Sequence, residues 1–225
     1  MTHHVFEFHG ETLQALAAGA LYWPARRVLA VADLHLGKGL RGVRRGAAAL
    51  PPYEAAETLA RLDAVLALTA AAQVICLGDT FDAPDSLGFL PEDARLWLIR
   101  MQAGRDWVWI TGNHDPGPVE LPGAHLDHLR LAGLTFRHIA EPAETGEISG
   151  HYHPKARLVT RAGAVRRACF LIDADRIILP AFGAYTGGLD CTDPTLDRLM
   201  GAGARAVLTG PRAVPFPMPR PASRG

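Results

Sequence analysis

An α/β layered sandwich with a more β-rich second half is the fold this sequence predicts. Three observations point to it. Short apolar runs alternate with longer segments of helical periodicity. Several of the short runs are apolar on both faces, as central strands of a covered sheet are. Many of them stop abruptly at clusters of Asp, His and Asn, and open α/β sheets gather their ligands beyond the carboxyl ends of strands.

Taken in order, Val28–Ala32, Val74–Leu77, Trp107–Thr111, Leu134–Phe136 and Ile177–Leu179 are predicted as strands. Residues 54–70 (YEAAETLARLDAVLALT begins one residue earlier) are predicted as a helix with Ala55, Leu59, Leu62 and Leu66 on one face. Residues 91–103 form a second predicted helix with Pro91 in its first turn, and Asp193–Met200 a third, short one. The stretch PRAVPFPMPRPASRG holds five prolines in 15 residues. It is expected to be extended or disordered, giving one domain over residues 1–210 and a Pro-rich tail over 211–225.

With 225 residues, 48% of them apolar, the chain has ample length for a buried core. Its 23 basic and 23 acidic residues cancel, so any nucleic-acid contact has to come from local patches. Three cysteines, Cys76, Cys169 and Cys191, are too few and scattered for a disulfide framework or a C-x-x-C metal site. The first residues lack the basic start and apolar core of a signal peptide. The most apolar stretch, residues 64–77, contains Thr69 and Gln73 and is too short to span a bilayer. A cytoplasmic protein without membrane association is the expectation.

The chemistry collects at the ends of the apolar runs. Val28–Ala32 leads into Asp33-x-His35, Val74–Leu77 into Gly78-Asp79-Thr80-Phe81-Asp82, and Trp107–Thr111 into Gly112-Asn113-His114-Asp115. Leu134–Phe136 is followed by Arg137-His138, and Glu147-Ile148-Ser149 by Gly150-His151-Tyr152-His153. In extended chain, residues two apart point to one side, so Asp33 with His35, and His151 with His153, can each grip one ion. Gly78, Gly112 and Gly150 let the backbone turn so that the polar side chains converge. Carboxylate, imidazole and amide oxygen without thiolate suit Mn²⁺, Fe or Zn²⁺. So many ligands exceed what one catalytic zinc takes, and two ions about 3.5–4 Å apart would use them all.

Competing motifs fail on their letters. Residues 37–42 spell G-x-G-x-x-G, but Asp33 already occupies the strand end, and Pro51 and Pro52 delay the next helix. A P-loop through Lys38 would need Gly at 32 and Ser or Thr at 39, where Ala and Gly stand. Pro84-Asp85-Ser86-Leu87-Gly88 lacks the first glycine of a serine-hydrolase elbow.

D-x-H, G-D, G-N-H-D, a lone His and G-H-x-H in this order resemble the calcineurin-like metallophosphoesterases. The resemblance implies a four-layer α/β/β/α sandwich with a dinuclear metal site at the strand C-terminal ends. It implies that Asp33, His35, Asp79 and His153 hold one divalent ion and that Asp79, Asn113, His138 and His151 hold the second. His114 would stabilise the phosphate and protonate the leaving oxygen, oriented by Asp115. His138 is favoured as the lone His over His125 and His128 because it directly ends an apolar run.

A finer resemblance spans nearly the whole chain. GALYWPARRVLAVADLHLGKG, LPPYE, SGHYHPKA and LPAFGAYTGGL are similar to the ligase-associated DNA damage response endonucleases, the PdeM family. That likeness implies a Mn²⁺-dependent phosphodiesterase acting on DNA, in a repair system with a DNA ligase, an exonuclease and a helicase; self-association is left open. Lys38, Arg41, Arg44 and Arg45 form a basic loop right after Asp33-x-His35 and are expected to bind phosphates flanking the scissile one. Two alternatives stand beside this reading: hydrolysis of small phosphodiesters such as cyclic nucleotides, and a scaffold of the same fold without catalysis.

Overall fold

The structure, a computed structural model, describes residues 2–38, 53–118, 120–161 and 163–221. Arg41, Arg44 and Arg45 lie outside the described residues. The chain opens with a meander, β1 (His3–Phe8), β2 (Glu11–Leu16), β3 (Leu21–Trp23) and β4 (Val28–Val31). Helix α1 (Glu54–Thr69) crosses to β5 (Gln73–Leu77); a four-residue turn of helix α2 (Ser86–Phe89) and helix α3 (Glu92–Gln102) cross to β6 (Asp106–Ile110). Next come β7 (Ala124–Leu126), β8 (His128–Leu131), β9 (Leu134–Arg137) and β10 (Glu147–Ser149). The long hairpin β11 (Lys155–Thr160) and β12 (Gly163–Ile172), then β13 (Arg176–Ile178), helix α4 (Pro194–Leu199), β14 (Arg205–Leu208) and β15 (Val214–Pro217) complete it.

These strands build two sheets. The first runs β1-β2-β3-β4-β5-β6-β7, with β4, β5, β6 and β7 mutually parallel. The second runs β15-β14-β12-β13-β10-β9-β8, with β13, β10 and β9 parallel. Alternation along each strand decides what lies where. Val28, Ala30, Ile75, Leu77, Val108 and Ile110 face Phe136, Ile148, Phe170, Ile177 and Leu179 of the other sheet. Their neighbours Leu29, Val31, Val74, Cys76, Trp107 and Trp109 pack on the other face with Leu59, Leu62 and Leu66 of α1 and Leu98 of α3. Each fully buried Leu or Val contributes roughly 1.5–3 kcal/mol. The outer face of the second sheet is covered more thinly, by Leu196 and Met200 at α4 and by Cys191.

The predicted strands and helices all form, with ends displaced by a residue or two. Pro91 caps α3 rather than sitting inside it, and Asp193 caps α4 by accepting the Thr195 amide. Part of the Pro-rich stretch takes the extended one of its two expected states. Val214–Pro217 is extended and pairs with β14 from Arg205↔Pro217 to Leu208↔Val214, as an edge strand of the second sheet. Proline has no N–H to donate, and an edge strand needs donors on one side only, so Pro215 and Pro217 fit there. The strands that the apolar runs did not announce are mostly amphipathic, such as β1, whose residues alternate between exposed or partly exposed positions.

Cys169 and Cys191 are brought into contact, Sγ to Sγ 3.6 Å, although 22 positions separate them. Burial first, and then the neighbouring Cys191 thiol, push the Cys169 thiol well above the ordinary range. No helix among the described residues is long and apolar enough to cross a membrane.

Candidate metal centre

Because β4, β5 and β6 run parallel, as do β9 and β10, their carboxyl ends form rims, and the two sheets bring these rims together. The loops after β4 and β5 stay stitched beyond the strands: Asp33 N donates to Gly78 O at 3.2 Å and His35 N to Asp79 O at 2.9 Å. His151 N crosses between the sheets to the Asp33 carboxylate, 2.9 Å from Oδ2.

The convergence is not achieved by extended chain, as the two-residue spacing suggested. Asp33 (φ 54°), His35 (47°), Asp79 (47°), His151 (71°) and His153 (47°) are all left-handed. For residues with a Cβ this conformation costs roughly 1 kcal/mol or more each, and the surrounding bonds must hold it. Gly78 is left-handed too, and a Cβ there would lie 2.5 Å from His138 Nδ1, so the glycine is what admits the imidazole.

Two clusters result. In one, Asp33 Oδ1 lies 3.2 Å from His153 Nε2, which lies 3.3 Å from His35 Nε2. In the other, His138 Nε2 is 3.0 Å from Asn113 Oδ1, 3.2 Å from His151 Nδ1 and 3.5 Å from Asp79 Oδ2. Asp79 Oδ2 also lies 3.9 Å from His35 Nε2, so this carboxylate stands between the clusters. Asp33 and Asp79 are almost wholly buried, while Asn113 is exposed and His114, His151 and His153 are partly so.

The histidines are oriented from behind. His138 Nδ1 donates to Leu77 O at 2.8 Å, which leaves Nε2 to face the cluster. His35 Nδ1 is 3.3 Å from Asp82 Oδ1, an imidazole backed by a carboxylate. His114 lies at the open side: its Nδ1 meets Asp82 O at 3.0 Å, and its Nε2 is 3.9 Å from Asp79 Oδ2.

Asp115 requires a correction. Its carboxylate does not reach back to orient His114. Oδ1 accepts the amides of Asp79 (3.0 Å) and Gly112 (3.1 Å), and Oδ2 those of Thr80 (2.8 Å) and Phe81 (3.1 Å). Four donors fill the lone pairs of one carboxylate. Asp115 therefore shapes the loop that carries Asp79, and the backbone carbonyl of Asp82 takes the position behind His114. Asp82, absent from the expected set, serves both His35 and His114. Its signal was a second Asp three residues after Asp79.

Electrostatics follow from burial against these contacts. Burial raises the Asp79 carboxyl, but the His138 bond and charge, the His114 amide and the charge of His35 outweigh it and hold the pKa at about 2. Burial disfavours a charged His138, yet the bond to Asp79 and the charges of Asp33 and Asp79 leave its pKa raised. For His151, burial and the neighbouring His138 lower it. Asp115 is raised by burial first, against the pull of its amides.

These residues fit a pair of divalent cations. The ring nitrogens of His35 and His153 converge to 3.3 Å and those of His138 and His151 to 3.2 Å, so each pair can turn its lone pairs on one cation, and the buried carboxylates supply compensating charge. The donor set holds no thiolate, and three groups of ligand atoms lie within 4.8 Å: Asp33, His35 and His153; His35, Asp79 and His114; Asp79, His138 and His151. His125 and His128 stay out: the first meets Leu121 O at 3.2 Å, and the second is exposed on β8.

The segment 181–188 buttresses one cluster. Phe182 N donates to Ala32 O at 2.8 Å and Gly183 N to Asp33 O at 3.0 Å. At its other end Gly188 packs so closely on His153 that a Cβ would collide with the His153 carbonyl. Lys38 Nζ reaches Tyr185 O at 3.4 Å, and Lys155 Nζ reaches Thr186 O at 2.8 Å. Burial, then the charges of Arg166 and Lys38, depress the Lys155 ammonium.

A cleft of about 400 Å³ adjoins the second cluster, lined by residues that include Asn113, Asp127, His128, Arg137, His138 and Ile139.

Comparison with known proteins agrees with this geometry. The profile described as calcineurin-like phosphoesterase matches residues 26–173. No curated protein sequence matches the chain. Among solved structures, the crystal structure of Pseudomonas putida nuclease MPE is similar, with a TM-score of 0.71 and 32% identity over 96% of this chain and 100% of that one.

Proposed function

We propose that this chain, which belongs to the calcineurin-like phosphoesterase family and is a metal-dependent phosphoesterase, is a DNA endonuclease of bacterial repair. The observation that carries hydrolysis is the Asp79 carboxylate standing between two His/Asp clusters, with His114 at the open side. The likeness to a nuclease along 96% of the chain supports a nucleic-acid diester as substrate. Association with a DNA ligase, an exonuclease and a helicase, a cytoplasmic location, and Mn²⁺ as the native metal belong to the same reading, by resemblance to the PdeM family.

Asp33, His35, Asp79 and His153 would hold one ion, and Asp79, Asn113, His138 and His151 the other. Two such cations would supply Lewis-acid polarisation of the phosphodiester and a lowered pKa for water. The chain's own groups do the rest. Asp82 O fixes the His114 ring through Nδ1, leaving Nε2 to carry a proton toward the leaving oxygen. The cleft beside Asn113 and His138 gives a substrate that continues past the scissile phosphate somewhere to lie.

The test is direct. Purified protein with Mn²⁺, Mg²⁺, Zn²⁺ or chelator is given covalently closed circular single-stranded DNA, linear duplex, a cyclic nucleotide and bis-p-nitrophenyl phosphate. Cleavage of the closed circle, lost in Asp79→Asn, is expected. Hydrolysis of the small diesters alone would overturn the DNA assignment.

A further inference from the structure

Tyr185 is the least explained aromatic residue near the metal centre. The residue is 55% exposed, and its backbone is left-handed at φ 56°. Among the described residues its hydroxyl has no hydrogen-bond partner and its ring no ring contact or cation over it. The fold thus holds this tyrosine in a costly conformation without using its side chain.

Its position is fixed from both sides. Two residues before it, Gly183 is bonded to Asp33 O. Three residues after it, Gly188 packs on His153. Ala184 N donates to Thr58 Oγ1 at 3.0 Å, which anchors the loop to α1. Tyr185 therefore stands at the rim of the Asp33–His35–His153 cluster on a loop pinned to two of its ligand-bearing segments. Beside it lie Lys38 and Lys155, which bind the carbonyls of Tyr185 and Thr186. Among the described residues neither ammonium has a carboxylate partner. Two ammonium groups held on the backbone carbonyls of the loop that carries a bare aromatic ring are complementary to a nucleotide, which is an anion attached to a flat π-face.

We infer that Tyr185, Lys38 and Lys155 form a nucleotide subsite at the edge of this cluster, the ring stacking on an unpaired base and the ammonium groups meeting its phosphate. The subsite rests on the nuclease reading and extends it: the nucleotide here is unstacked from its neighbours, and Tyr185 positions the strand rather than taking part in bond breaking. Lys155, outside the basic loop expected from the sequence, shares the phosphate with Lys38.

The experiment is a cycle of protein and substrate changes, with cleavage of linear single-stranded oligonucleotides by the Mn²⁺-loaded protein as readout. Tyr185→Ala is expected to raise KM about tenfold, the scale of one base stacked on one aromatic ring, with kcat within twofold. Tyr185→Phe, which keeps the ring, should retain the wild-type KM. An abasic residue is moved along the strand. At one position it should cost the wild type the same tenfold, and should cost Tyr185→Ala nothing further. Lys155→Gln should reduce the slope of log KM against log salt by about 0.7, one phosphate contact on a single strand. Additive losses from Tyr185→Ala and every abasic position would overturn the stacking, and an unchanged salt slope would overturn the phosphate contact. If the wild type cleaves no oligonucleotide, the nuclease reading itself fails, and the subsite falls with it.

Discussion

The carboxylate of Asp115 accepts the backbone N–H of Asp79 at 3.0 Å, although the Asp79 charge raises the cost of ionising Asp115. Its other three amide partners, from Thr80, Phe81 and Gly112, complete a cradle that sets the left-handed turn at Asp79. Asp115→Asn would put an amide NH₂ against backbone donors. Metal affinity is expected to fall about 10–100-fold, as when a partner supporting a metal ligand is removed. Activity should recover at high Mn²⁺, measured as kcat against metal concentration. A loss that no metal concentration restores would show that Asp115 acts on His114 instead.

His114→Ala is expected to lower kcat about 10²–10⁴-fold, the usual contribution of a positioned acid. Both metals should remain, counted by elemental analysis of the purified protein. The loss should shrink on bis-p-nitrophenyl phosphate, whose leaving group departs without a proton. Loss of metal would instead make His114 a ligand through its Nε2, 3.9 Å from Asp79 Oδ2.

Gly78→Ala tests the close approach of the two sheets. The added methyl would lie 2.5 Å from His138 Nδ1 and would strain a backbone at φ 75°. His138 would have to leave Leu77 O, so the expected result is loss of one of two bound metals and a drop in melting temperature. Retention of both metals would mean that the loop yields without moving the imidazole.

Metal binding should stabilise the folded chain strongly, because the unfolded chain has no assembled site. Free Mn²⁺ at a thousandfold excess over Kd gives about 4 kcal/mol per site. For a chain of this length that is about a 10 °C rise in Tm by scanning calorimetry. Asp79→Asn, which removes the shared carboxylate, is expected to lose most of the rise.

The Cys169 and Cys191 thiols, 3.6 Å apart, are expected to form a disulfide under diamide, identified by a cross-linked peptide after proteolysis. Diamide takes up the two hydrogens that the thiols give up. The closed loop is slightly longer than the 15-residue case, for which about 3 kcal/mol is typical, so the oxidised protein should melt higher than the reduced one. Cys76, buried elsewhere with its thiol pushed up to about 12, should remain free. Recovery of three free thiols after diamide would contradict the pairing.

By itself the sequence determined the central strands, the helices between them and the identity of the metal-binding residue types. Those features are local. An apolar run such as Val74–Leu77 buries itself whatever its neighbours are, and Gly78-Asp79 must follow it. Tertiary structure decided what those residues do together. Extended pairing of Asp33 with His35 gave way to left-handed turns, because the Asp33 and His35 amides bond across to the next loop. Asp115 passed from His114 to four backbone amides, and Asp82 took its place, because only packing shows which acceptor faces which donor. The contact of Cys169 with Cys191, the edge strand at Val214–Pro217 and the exposed ring of Tyr185 have the same origin. Each depends on segments far apart in the chain, and no periodicity within one segment records where another will lie.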